Sequence, residues 1–112
     1  MPREILLRAL SIRQPLSELI LLGEKTLAFR SMRTHIRERV YLYAGKTVET
    51  VDDFPDEDAQ RLPRCVIVGS VEIVDCYEDE QGFAWDFAHP IRYAKPLKPK
   101  GVPQPGFWHP TF

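Results

Sequence analysis

The run Cys65–Tyr77, Cys-Val-Ile-Val-Gly-Ser-Val-Glu-Ile-Val-Asp-Cys-Tyr, constrains the fold more than any other part of the chain. It is rich in β-branched residues and reads as one long strand. Gly69 lies inside it, where a glycine marks a bulge or a bend. A long bent strand is what a small barrel needs in order to curl and close.

The flanking segments supply its neighbours. Ile5–Ile12 reads as a strand interrupted only by Arg8. Gln14-Pro15 then opens a helix, proline being favoured at the first helical position. Leu16, Leu19, Ile20 and Gly23 recur at helical spacing, which turns one face inward over about two turns. Gly23 is a natural helix stop. Thr26–Arg30 reads as a strand, and Ser31–Glu38 as a polar, basic loop. Arg39–Ala44 alternates, with Val40, Leu42 and Ala44 on one face and Tyr41 and Tyr43 on the other, a strand signal. Asp56–Leu62 reads as a short helix with Pro55 in its first turn. After a turn at Glu80-Gln81-Gly82 come two short strands, Phe83–Phe87 and Ile91–Leu97, bounded by Pro90 and Pro96. A rigid irregular stretch follows (Pro99, Gly101, Pro103, Pro105, Gly106), and Phe107-Trp108 closes the chain. About six strands and one or two short helices give an α+β fold, a small mixed β-barrel with helices at its openings.

The chain has 112 residues, a length that fits one domain spanning 1–112. Apolar residues make up 44%, enough for a core and against disorder. No run approaches the ~18 apolar residues of a membrane span. Met1-Pro2-Arg3-Glu4 lacks a signal-peptide pattern, so the expected location is cytoplasmic. Cys65 and Cys76 match no zinc or redox spacing and read as reduced, buried cysteines. His35, His89 and His109 are scattered. No metal and no cofactor is therefore expected.

The formal net charge of -1 hides a segregation. Residues 1–46 carry nine Lys/Arg against four Asp/Glu, whereas 47–80 carry two against eleven. The basic face can hold a phosphate even on a nearly neutral molecule, if the acidic segment lies elsewhere. Within it, Gly23-Glu24-Lys25-Thr26-Leu27-Ala28-Phe29-Arg30 sets a cation at either end of a short extended segment, and Arg33, Arg37 and Arg39 follow. That is a cradle for an anion, pointing to a nucleotide or nucleic acid.

Further residues join this element in order. They are Ser11-Ile12-Arg13-Gln14-Pro15 before it, and Ser31 and Thr34 after it. Later come Val68-Gly69-x-Val71-x-Ile73-x-Asp75-Cys76, Phe83-Ala84-Trp85, His89-Pro90 and Gly106-Phe107-Trp108. The ensemble resembles the ASCH domain family of the PUA-like superfamily of small β-barrels, and its Gln-Pro and Arg-Ser elements resemble the coactivator-like branch. The resemblance spans nearly the whole chain. It implies a cleft between barrel and helix lined by Gly23-x-Lys25-x-x-x-x-Arg30, and binding of RNA or other nucleic acid with a role in transcription coactivation; the expected partner is RNA or a single-stranded nucleic acid. Some members are enzymes, ribonucleases or amidohydrolases acting on N4-acetylcytidine. That amidohydrolase chemistry would place its lysine at Lys25 and its threonine at Ala28, which has no hydroxyl. Thr26 lies about 6.6 Å along an extended strand from that position, too far to replace it. Glu72 is only a candidate for the required glutamate.

The expected nucleic-acid-binding set is therefore Gln14, Lys25, Arg30, Ser31, Arg33, Thr34, Arg37, Trp85 and Trp108. Lys25 would be the catalytic residue if the protein were an enzyme. The arginines offer forks for phosphate or base edges, and Arg33 and Arg37 add sequence-independent attraction. Ser31 and Thr34 offer donors to phosphate oxygens, Gln14 an amide for a base edge, and the tryptophans stacking faces. Tyr41 and Tyr43 are further cleft candidates. A protein-interaction domain is the third reading, with the acidic segment 52–58 and the Pro-rich tail as its surface.

Overall fold

The computed structural model describes residues 7–52, 54–104 and 106–112. Strand β1, Ala9–Gln14, is followed by helix α1, Leu16–Leu21, strand β2, Leu27–Arg30, and strand β3, Arg39–Val48. Helix α2, Asp56–Arg61, precedes the two long strands β4, Val66–Asp79, and β5, Gly82–Leu97. Strand β6 is the dipeptide Phe107–Trp108. Ile5 and Leu6, expected to begin the first strand, lie outside the described residues, as do Asp53 of the acidic segment and Pro105 of the Pro-rich stretch.

All six strands join one sheet in the order β2-β5-β4-β3-β1-β6. The sheet curls into a half-barrel, so the expected α+β barrel-like fold with two short helices is the observed one. β1 and β3 run parallel, joined through α1 and β2, and the other pairs are antiparallel. The inner face is a continuous core built from Leu10 and Ile12, Val40, Leu42 and Ala44, Val71 and Ile73, and Trp85 and Phe87.

The bend expected at Gly69 is present. Ile67 and Gly69 of β4 face adjacent residues Tyr43 and Leu42 of β3, so Val68 is an extra residue. A Cβ at Gly69 would collide with the Ile91 carbonyl and lie 2.9 Å from Leu21 Cδ2. Only glycine lets β5 and α1 approach β4 this closely.

Two expectations need correction. Phe83–Phe87 and Ile91–Leu97 are one strand, β5, because Pro90 sits in a bulge rather than a break. His89 takes a left-handed φ of 52° there, and the register slips between Ser70 and Glu72. A proline lacks the ladder N–H, and a bulge tolerates that loss. Arg39 Nη2 donates to the His89 carbonyl at 2.8 Å and so braces the bulge. The second correction concerns α1. Its buried face includes Ser17 and Leu21 beside Leu19 and Ile20, while Leu16 is only half buried. Ser17 is tolerated there because its hydroxyl donates to the Ile12 carbonyl at 2.6 Å. Pro15 stands at the N-cap, one place before the helix, and its carbonyl accepts the Leu19 N–H at 2.9 Å. Gly23 ends the helix with a φ of 79°, and the N–H groups of Gly23 and Glu24 return to Ile20 and Leu19.

Candidate nucleic-acid interface

The sheet has two ends, β2 and β6, and they do not meet in a ladder. β2 pairs with β5 alone and β6 with the start of β1. Side chains close this seam. Trp85 of β5 stacks on Phe107 of β6, with centroids 5.5 Å apart and rings 18° from parallel. Arg30, the last residue of β2, reaches across and donates from Nη1 to the Ser11 carbonyl of β1 at 3.2 Å. Its guanidinium lies 5.2 Å from the centre of the Trp85 ring.

Along the seam runs a cleft of about 750 Å³. Ser11, Ile12 and Arg13 of β1 form one wall, and Ala28, Phe29, Arg30 and Ser31 form the other. Leu16, Tyr43, Gly45, Lys46, Thr47, Glu49 and Cys65 complete the lining, and Val102 and Pro103 of the Pro-rich segment border it. This volume is in the range of small-ligand pockets, ~300–1,000 Å³.

The electrostatics centre on Arg30. Burial pushes its pKa down from the ordinary arginine value. A guanidinium remains charged under such a shift. Among the described residues no carboxylate pairs with Arg30, whose contacts are a carbonyl and an aromatic face. Arg13, by contrast, is paired with Glu49 at 3.1 Å. Lys46 has no ion-pair or hydrogen-bond partner among the described residues. The cleft thus presents one half-buried and one exposed cation without a counter-charge. Burial also pushes the Tyr43 hydroxyl up, and the neighbouring Cys65 thiol adds to it.

The residues expected from the sequence divide sharply. Arg30 and Ser31 line the cleft. Lys25 is exposed on the turn after α1 and is not among the lining residues. Ala28 puts a methyl group on the cleft wall. Thr34 is buried, and its hydroxyl accepts the Ile36 N–H at 3.1 Å. Arg37 donates to the carbonyls of Thr34 and Ile36 at 2.9 and 3.0 Å, and Arg33 lies 5.0 Å from the Phe83 ring centre. These three order the loop between β2 and β3.

The expectation for Gln14 is corrected, because its amide is fully engaged inside the fold. Nε2 donates to the Pro63 carbonyl at 2.8 Å, and Oε1 accepts the Glu18 N–H at 3.1 Å. Trp85 is corrected likewise. It is 1% exposed, its ring lies between Phe107 and Arg30, and its Nε1 donates to the Met32 carbonyl at 3.0 Å. No base can stack on it while the core is closed. Trp108 is half buried and meets Tyr43 edge-on at 5.2 Å. Tyr41 packs against Tyr93 and Phe112, so Tyr43 is the tyrosine at the cleft.

Sequence reasoning missed Ser11, Lys46, Thr47 and Phe29 as lining residues. Phe29 is 49% exposed at the rim. Its signal was the alternation of β2, which buries Ala28 and leaves Phe29 outward. Cys65 and Cys76 are free thiols, half buried rather than buried, and Cys65 borders the cleft. Among the described residues no His, Cys, Asp or Glu group could hold a metal, and no helix is long and apolar enough to cross a membrane.

The family model of the ASCH domain matches residues 10–104. No curated protein matches the chain.

Proposed function

The chain belongs to the ASCH domain family, generally an RNA-binding type of domain, and from that premise we propose that the seam cleft binds nucleic acid, RNA first, through a phosphate held at Arg30. One observation carries this reading. Arg30 is a half-buried cation facing an open cleft with no carboxylate partner among the described residues. A desolvated charge of this kind is costly unless an anion joins it. A phosphate supplies the anion and accepts the arginine fork. Ser31, Ser11 and Thr47 supply hydroxyl donors nearby, and Lys46 a second positive charge. Phe29 at the rim offers the stacking face that the buried Trp85 does not. Lys25 adds attraction at longer range.

The test is a fluorescence titration with short single-stranded RNA and DNA at two salt concentrations. Arg30→Ala is expected to weaken binding by about 10-fold or more and to reduce the salt slope by ~0.7, the loss of one phosphate contact. Arg30→Lys, which keeps the charge without the fork, should fall between. Melting curves of both variants separate lost binding from lost folding, because Arg30 also spans the seam. No binding of RNA or DNA by the unaltered protein at low salt would overturn the reading.

A further inference from the structure

Beside the cleft lies a second, shallower basin of about 550 Å³, lined by Lys46, Gln60, Arg61, Leu62, Arg64 and Cys65. Lys46 and Cys65 border both cavities, so the two adjoin. Three of its six lining residues are cations. Among the described residues none of Lys46, Arg61 and Arg64 has an ion-pair or hydrogen-bond partner. This sets them apart from Arg8, Arg13 and Arg92, which pair with carboxylates. It also sets them apart from Arg33 and Arg37, whose guanidinium groups are engaged in the loop. Three cations without such a partner thus stand together at one basin beside the cleft.

The backbone beneath them is anchored. The Pro63 carbonyl accepts from Gln14, the Leu62 N–H donates to Ala59 at 3.2 Å, and the Cys65 N–H donates to Ala44 at 2.7 Å. Cys65 takes a left-handed φ of 62°, which turns the chain from the basin floor into β4. The basin is therefore a fixed surface with three cations on it. Its limit is equally defined. Asp56, Glu57 and Asp58 occupy the first turn of α2 and Arg61 its last, so acid and base stand at opposite ends of a helix only ~9 Å long. A polyanion leaving the cleft meets attraction at Lys46, Arg64 and Arg61 and repulsion immediately beyond.

We propose that Lys46, Arg64 and Arg61 form a phosphate track that carries a single-stranded nucleic acid out of the seam cleft, so that the protein takes an oligonucleotide rather than a single nucleotide. This rests on the reading of the cleft given above. A pocket of nucleotide size continued by a basic groove fits one strand with its bases unpaired, and cations tracking the backbone are the usual device for holding it. A duplex would present no free base to the cleft.

The test compares a trinucleotide with a ten-nucleotide single-stranded RNA, and with a duplex of the same length, on the unaltered protein and on Arg61→Ala/Arg64→Ala. Both arginines are exposed and without a partner among the described residues, so the variant should keep the parent's melting temperature. The unaltered protein should bind the ten-mer more tightly than the trinucleotide. The variant should hold the trinucleotide unchanged, lose about 10-fold in affinity for the ten-mer, and show a salt slope shallower by ~1.4, at about 0.7 per phosphate contact. A variant that keeps the parent's affinity and slope for the ten-mer overturns the track while leaving the cleft reading standing. Duplex binding as tight as single-strand binding overturns it too. Absence of binding to any oligonucleotide by the unaltered protein overturns both.

Discussion

At the scale of single residues, chemistry in this protein follows from which groups are left without partners. Thr34, Gln14 and Arg37 have the right atoms for a nucleic acid, yet each is engaged with the backbone. Arg30 gives a hydrogen bond to the Ser11 carbonyl but has no carboxylate partner among the described residues, and Lys46 has neither kind of partner there. Tyr43 shows how burial tunes a neighbour of the cleft. Desolvation, and then the Cys65 thiol, raise its pKa above the ordinary value of 10. The folded protein therefore holds this proton more tightly than the unfolded chain. The stability it confers is complete below pH ~10 and is lost as pH climbs through the raised value. Tyr43→Phe should accordingly lose less stability than the parent above pH about 10, seen as a difference in melting temperature that swings toward the variant. A difference that stays constant across the alkaline series would count against this account. In the sequence, Arg30 was legible because a cation closing a short strand after a helix stop has few structural uses. Lys46 and Arg64 were not, because β3 continues past Ala44 into Val48 and carries Lys46 to the cleft. Nor could the sequence show that Trp85 is sealed, since its cover, Phe107, comes from a strand of two residues.

At the scale of elements, short-range patterns were reliable and accommodation between strands was not. The alternation at Val40, Leu42 and Ala44 correctly gave the buried face of β3. Gly69 correctly marked the bend of β4. Pro90 misled, because a proline signals a break only where its missing N–H was needed, and the bulge at His89 removes that need. The junction of β1 and α1 depends on Gln14, which joins the first turn of α1 to Pro63 before β4. Gln14→Ala would leave the Pro63 carbonyl without that donor and the Glu18 N–H without its acceptor. The expected loss is about 1–3 kcal/mol, measurable by urea denaturation. A loss below ~0.5 kcal/mol would mean that water replaces both bonds.

At the scale of the whole molecule, the sheet leaves its seam to be closed by side chains, and the same seam is the cleft. Closure rests on the Trp85–Phe107 stack and on Arg30. Phe107 is half buried, so Phe107→Ala should remove about 1–3 kcal/mol of packing, less than at a fully buried site. It should also speed hydrogen exchange in β2 and β6 more than in β4, which has ladder partners on both sides. Uniform acceleration across the sheet would instead indicate global destabilisation. Acid and base are also sorted along α2, with Asp56, Glu57 and Asp58 in its first turn and Arg61 in its last.

The guanidinium of Arg30 is at once the clasp of the half-barrel and the positive charge facing its opening. Two equilibria therefore share one group. An anion that settles on it relieves the desolvated charge in the closed form and finds no such site in the open one. On the proposed reading, occupancy and closure would reinforce each other: the ligand would act as a keystone, and the fold would be most complete with the seam filled.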